Sequence, residues 1–274
     1  MFASKDLFLT RPSGYQISRS VRLRSSASAY FNRTPAAAGN RKTWTYSGWI
    51  KLGALSSGVS FLTQYTDSAN QSQARIQATG VVRFYDLVAN VFTTDISWSP
   101  VYRDPSAWYH LMLVADTTQA TNTNRIKFYV NGVQVTSTSS ATYPSQNTDL
   151  RINLNAPHFI GQNGAGGELA DGYLTEINFI DGQALTPSSF GQTNTVTGVW
   201  QPLKYTGTYG TNGFYLNFSD NSNNTATTIG KDYSGNGNNW TPNNISVTAG
   251  TTYDSMLDVP TLWADGGNGR GNYA

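Results

Sequence analysis

The chain has 274 residues, no cysteine, a formal net charge of +2, 38% hydrophobic and 13% aromatic residues, and only 12% charged residues, about half the charged share usual for a soluble domain. That length can bury the core of one large β-domain or two small ones, and the lack of cysteine excludes disulfides, a thiolate nucleophile and a cysteine-ligated metal. A charge this small gives no reason to expect a nucleic-acid or membrane partner, and no apolar run approaches membrane-spanning length.

Charge is unevenly spread along the chain. Eight of the 18 Lys and Arg fall in residues 1–42 against one acid, Asp6, whereas five Asp lie from residue 220 onward against Lys231 and Arg270. This is either scattered solvated charge or a basic N-terminal face that docks on an acidic neighbour or on the acidic tail of another copy. Residues 1–14 read as an arm: Asp6 and Arg11 interrupt a very short apolar run, so no signal-peptide core is expected there.

From Tyr15 the pattern is that of strands. Residues 17–23 and 43–51 come first; in the latter Trp44, Tyr46 and Ile50 alternate with Thr45, Ser47 and Lys51, and Gly48 marks a bulge or a close backbone approach. Strands are expected at 59–65, 74–79 and 81–87, spaced by polar or glycine turns as in a sandwich. Residues 108–116 are apolar on both faces, which predicts a central strand. Arg125-Ile-Lys-Phe-Tyr-Val130, Asn131-Gly132 and Val133-Gln-Val form a hairpin, because Asn-Gly suits a type I′ turn with two positive φ angles.

Short strands are expected at 151–155 and 158–161, then a surface loop, Gly161-Gln-Asn-Gly-Ala-Gly-Gly167. Residues 171–190 give a half-buried strand on Tyr173, Ile177 and Phe179, followed by a helix or 3₁₀ start with Pro187 in its first turn. Beyond Phe190 the composition shifts, and residues 211–245 hold ten Asn. Long polar loops pinned by short pieces such as 214–218 and 245–247 are expected.

Taken together, Thr43-Trp-Thr-Tyr-Ser-Gly-Trp-Ile, Trp108-Tyr-His-Leu-Met-Leu-Val-Ala-Asp116, Tyr129-Val-Asn-Gly132 and Gly172-Tyr-Leu-Thr-Glu-Ile-Asn-Phe resemble, in order, the strands of laminin-G-like, concanavalin A-like jelly rolls that occur in bacteriophage virion proteins. The resemblance covers roughly residues 15–260. It implies an all-β antiparallel sandwich, with an arm at 1–14, a jelly roll at 15–197 and an Asn/Gly-rich extension at 198–274. In many such modules an apolar strand and an Asp-x-Ser-Gly-x-Gly-Asn turn open the domain; here Phe214-Tyr-Leu-Asn-Phe218 and Asp232-Tyr-Ser-Gly-Asn-Gly-Asn238 follow the closing strand. They either complete the first jelly roll or begin a second, and completion is preferred because half a sandwich would leave open edges.

The resemblance implies a non-enzymatic virion structural protein, a capsid decoration or fibre component, made in the bacterial cytoplasm and assembled with other virion proteins and copies of itself. An adhesin for host-surface glycans on the same fold is the alternative. Exposed aromatics would serve either role, and Tyr65, Trp98, Tyr102 and Tyr143 lie in or near expected loops.

A glycoside hydrolase is the less favoured reading. The related β-glucanases resemble one another in a Glu-x-Asp-x-x-Glu strand that sets carboxylates on one face; Glu168, Asp171 and Glu176 are the nearest equivalents, but their spacing has the wrong parity. Glu176 therefore reads as a structural carboxylate. His110 reads as a satisfied core histidine, and neither it nor His158 accompanies a Gly-x-Ser-x-Gly elbow or a zinc ligand set. Laminin-G-like modules often resemble one another in a rim calcium site, for which Asp116, Asp171, Asp220 and Asp232 are candidate ligands, although each equally suits a turn. Six glycosylation sequons, at Asn32, Asn70, Asn217, Asn223, Asn239 and Asn244, reflect the abundance of Asn, Ser and Thr.

Overall fold

The computed structural model describes residues 14–55 and 58–261, so of the expected arm only Gly14 lies among the described residues. Alternating side chains build two antiparallel sheets. The strands in chain order are β1 (Ser20–Leu23), β2 (Tyr30–Arg33), β3 (Thr43–Leu52), β4 (Val59–Asp67), β5 (Asn70–Ile76), β6 (Val81–Val88), β7 (Val91–Val101), β8 (Trp108–Asp116) and β9 (Ile126–Val130). They continue with β10 (Val133–Gln134), β11 (Thr138–Thr142), β12 (His158–Ile160), β13 (Gly172–Asp181), β14 (Gly191–Thr193), β15 (Trp200–Pro202), β16 (Phe214–Leu216), β17 (Thr241–Asn243) and β18 (Ser255–Met256).

Sheet I runs β10-β9-β8-β3-β13-β1-β18, with β16 also on β13; sheet II runs β11-β7-β6-β5-β4-β12-β2-β17, and β14 and β15 form a separate pair. The two sheets face each other over one core. Trp44, Tyr46, Leu111 and Phe128 come from sheet I, and Phe31, Phe61, Phe84 and Trp98 from sheet II, each burying apolar area worth about 1.5–3 kcal/mol. This is an all-β jelly roll.

The chain beyond residue 198 supplies strands to both sheets: β16 pairs with β13, β17 with β2 and β18 with β1. Asp254 is buried and accepts hydrogen bonds from Arg22 and Arg24, which ties that segment to the end of β1.

Four expected elements differ, the first being the strand expected at 17–23, which begins only at Ser20. Residues 151–155 form turns, with Asn153 at φ +74°, because Asn153 spends its amide on the buried Asp181 carboxylate at 2.7 Å and on the Asn40 carbonyl at 3.1 Å. The strand expected at 74–79 starts four residues earlier, at Asn70, and ends at Ile76, where a turn closed by Gly80 begins. Residues 245–247 are not a strand; Ile245 instead plugs the core.

Candidate functional site

In sheet II the core takes Ala74 and Ile76 from β5, Val82 and Phe84 from β6, and Ile96 and Trp98 from β7. Period-2 alternation therefore puts Gln73, Arg75, Arg83, Tyr85, Asp95 and Ser97 on the opposite, outer face. Register aligns them in two rows across the strands. Thr63, Gln73, Tyr85 and Asp95 form one, and Ser60, Arg75, Arg83 and Ser97 the other. Arg83 clasps Asp95 with two hydrogen bonds, 2.7 and 2.8 Å, and its guanidinium lies 4.8 Å from the Tyr85 ring centre and 5.1 Å from that of Phe92. Phe92, 45% exposed at the start of β7, leaves an aromatic face open beside these charges.

The glycine-rich loop between β12 and β13 lies over the other half of this face. Its base is closed by the Ala170 amide on the Gly161 carbonyl at 2.8 Å, and Asn163 turns it internally by accepting the amides of Ala165 and Gly167. Gly164, at φ +81°, passes so close to Tyr65 and Phe159 that a Cβ there would overlap the Tyr65 side chain. From the loop Glu168 reaches Arg75 in an ion pair, accepts from Gln73 Nε2 at 2.6 Å and from Ser60 Oγ at 3.3 Å. Burial lowers the Arg75 guanidinium from its ordinary value.

Of the four aromatics expected near loops, Tyr65 alone stands on this face, half-buried against the glycine loop. Trp98 is corrected: it lies within β7, 2% exposed, its ring 4.8 Å from that of Phe128, and offers no surface to a ligand. Tyr102 and Tyr143 are half-buried against the core edge; Tyr102 meets Tyr109 edge-on at 5.5 Å. The signal that would have exposed Gln73 and Arg75 is the alternation of Gln71, Gln73 and Arg75 with Ala74 and Ile76 in β5.

The four aspartates expected as calcium ligands do not converge among the described residues, and each carboxylate has partners nearby. Asp116 accepts from Thr118 and Gln119, Asp171 from Ser25 and Asp220 from Ser222. Asp232 is buried and accepts four hydrogen bonds, from the amides of Tyr215, Ser234 and Asn238 and the Ser234 hydroxyl. No three His, Asp or Glu side chains among the described residues converge as a metal would need.

On the outer face of sheet I sits Glu176, at the bulge where the partner of β13 changes from β1 to β16. It takes φ +53° and is held by the hydroxyls of Tyr215 at 2.8 Å and Tyr15 at 2.9 Å. Burial raises it to about 7. Glu168 lies over sheet II and Glu176 over sheet I, with a core about 10 Å thick between them, so they do not form the closely facing carboxylate pair of a glycosidase.

Ser47 Oγ lies 2.8 Å from His110 Nε2, but this is not an activated nucleophile. The Trp200 indole, which can only donate, donates to His110 Nδ1 at 3.1 Å, so the neutral ring carries its proton on Nε2 and donates it to Ser47. Burial drops His110 to about 3 and His158 to about 4; His158 Nε2 accepts the Asn153 amide.

Residues 25–190 match the family model of the concanavalin A-like lectin/glucanases superfamily. No match is found among curated proteins. Similar solved structures include a candidate carbohydrate-binding protein from Bacteroides ovatus, 15% identical, covering 84% of this chain and 59% of its own, with TM-score 0.54. A heptameric serum-amyloid-P-like (SAP-like) pentraxin from Limulus polyphemus is 16% identical, covering 63% and 80%, at 0.45. Domain 4 of an arabinanase from Geobacillus stearothermophilus is 19% identical, covering 56% and 66%, at 0.41. At these identities the likeness is one of fold.

Proposed function

The chain belongs to the concanavalin A-like lectin/glucanases superfamily, and from that premise we propose that it is a non-catalytic carbohydrate-binding protein whose sugar-contacting surface is the outer face of sheet II. The observation that carries this reading is the composition of that face. Phe92 is a 45% exposed ring next to the Arg83–Asp95 pair, which joins an apolar stacking surface to groups that read hydroxyls. The Bacteroides ovatus protein of the same fold, itself a candidate carbohydrate-binding protein, agrees with it.

A glycan array probed with the purified protein tests the reading. Binding is expected, and Phe92→Ala is expected to weaken it about five- to a hundredfold, on the scale of the roughly 1–3 kcal/mol that a nucleic-acid base gains by stacking on one aromatic ring. An array silent at high protein density overturns it.

The setting we propose is a bacteriophage particle, where the protein is a surface or fibre component and an adhesin. Its support is the resemblance of the β3, β8 and β13 strands to virion jelly rolls. The Ile17 amide also bonds Thr261 Oγ1 at 3.2 Å, so both ends of the described fold leave from sheet I and sheet II faces away from them. Immunogold labelling of purified particles is expected to decorate them, and unlabelled particles sink this setting.

A further inference from the structure

Glu168 is bound as a ligand would be. Three donors of different kinds, the Ser60 hydroxyl, the Gln73 amide and the Arg75 guanidinium, converge on one carboxylate, and Gln73 Nε2 also donates to Ser60 Oγ at 2.5 Å, which fixes the set in place. Ser60 and Gln73 stand on the outer face of a sheet yet are fully buried, because the glycine loop covers them. The cover is imperfect. Thr63 Oγ1, Gln73 Oε1 and Arg75 Nε are buried beneath it without a hydrogen-bond partner, and each such group costs about 1–3 kcal/mol. The segment that carries Glu168 is closed at its base, holds Gly164 and Gly166 at positive φ, and places Glu168 itself at φ +49°, a conformation that is strained for a non-glycine residue.

We propose that Ser60, Gln73 and Arg75 form a binding pocket for the carboxylate of an acidic sugar, and that Glu168 occupies the pocket as an internal competitor which the sugar displaces. The exchange swaps one carboxylate for another, so Arg75 is never left as an unpaired buried charge. It also releases the strained Glu168 backbone, and it opens Thr63 Oγ1 and Gln73 Oε1 to the hydroxyls of the incoming ring. The proposal rests on the reading of this face as carbohydrate-binding.

The test is calorimetric titration with a hexuronate tetrasaccharide and a terminal nonulosonate trisaccharide, each beside its carboxyl-reduced form. Glu168→Gln is expected to bind an acidic probe about tenfold tighter than the parent protein, the worth of a released charge-assisted contact, and Arg75→Met to lose the preference for acid over alcohol; which of the two acids binds identifies the sugar class. In the unmutated protein the acidic probe is expected to shift the amide resonances of Gly164, Gly166 and Gly167 more than the reduced probe does, a readout that does not depend on any variant folding. Equal affinity of Glu168→Gln and the parent protein for the acids, or unmoved loop amides at saturation, overturns the proposal. If the reduced probes bind as tightly as the acids in a Phe92-dependent way, carbohydrate binding stands and the carboxylate pocket falls; if no probe binds, the pocket falls, and a silent glycan array takes the carbohydrate reading with it.

Discussion

At the scale of the residue, Glu176 sets the clearest expectation. The Tyr15 and Tyr215 hydroxyls lie 2.6 Å apart and both touch the carboxyl group, so three oxygen groups close a ring of three contacts. Three protons fill that ring when Glu176 is neutral; only two are present when it is ionised. Burial acts in the same direction and raises the group from 4.5 to about 7, against the two tyrosine hydrogen bonds and the charge of Lys204, which lower it. Because the folded value lies above the unfolded one, the stabilisation is complete below about pH 4.5 and is lost as pH rises through about 7. A shift of this size corresponds to about 3 kcal/mol. Urea denaturation at pH 5 and pH 8 is expected to show the parent protein losing most of that relative to Glu176→Gln, whose amide neither ionises nor removes the packing. The two histidines act oppositely, since burial lowers both and they cost stability as pH falls below about 6.5. Their effect is common to both proteins and cancels in the difference. Parallel pH profiles for the two proteins would refute the protonated ring.

At the scale of the element, the hairpin of β9 and β10 shows how far local chemistry reaches. Asn131 and Gly132 take φ +48° and +82°, the two left-handed residues of a type I′ turn. Asn131 Oδ1 also accepts the His110 amide at 2.8 Å, and a Cβ on Gly132 would run into the Trp200 ring. Gly132→Ala therefore meets both a backbone penalty and a displaced indole, and is expected to cost about 1–3 kcal/mol. Because Trp200 then withdraws its N–H from His110 Nδ1, the imidazole ¹⁵N resonances should move as well, and an unchanged denaturation midpoint with unchanged resonances would contradict this account. Strands such as β3, β6, β9 and β13 were legible in the sequence because their alternation is long or their turns are chemically marked, and β8 because it is a long run that is apolar on both faces. β7 was not, although it is the longest strand among the described residues, at eleven residues: its register shifts between Phe92 and Thr94, Thr94 sits among its inward positions, and Pro100 reads as a break. That omission is what put the buried Trp98 among the binding candidates and hid the cluster of Arg83, Tyr85 and Asp95. β2, β17 and β18 are two to four residues each, too short for periodicity to register, and exist because tertiary partners complete them, whereas β16 showed in the sequence as the apolar piece at 214–218. The Ser60, Gln73, Arg75 and Glu168 cluster was illegible for a related reason, since it joins residues of β4, β5 and a loop more than ninety positions later, and only the sheet register brings them together.

At the scale of the molecule, the question is whether the segment from residue 198 onward is an appendage or part of the fold. It places Phe214, Leu216, Phe218, Ile229, Trp240 and Ile245 in the core shared by both sheets, with Trp240 and Phe218 among the largest fully buried side chains. At about 1.5–3 kcal/mol for each buried side chain, this contribution is on the order of 10 kcal/mol or more, comparable to the whole stability of a typical domain. Its removal would also strip β1, β2 and part of β13 of a hydrogen-bonding neighbour and leave Arg22 and Arg24 without Asp254. A chain that stops at residue 197, which still spans the matched family region 25–190, is therefore expected not to fold. Near-ultraviolet circular dichroism and amide NMR dispersion of that truncated chain measure this directly. Loss of both, with recovery when the chain is extended to residue 261, makes the C-terminal segment an integral layer of the sandwich. A cooperative unfolding transition in the truncated chain would make it a separate covering instead, and would mean that the sheets close without β16, β17 and β18.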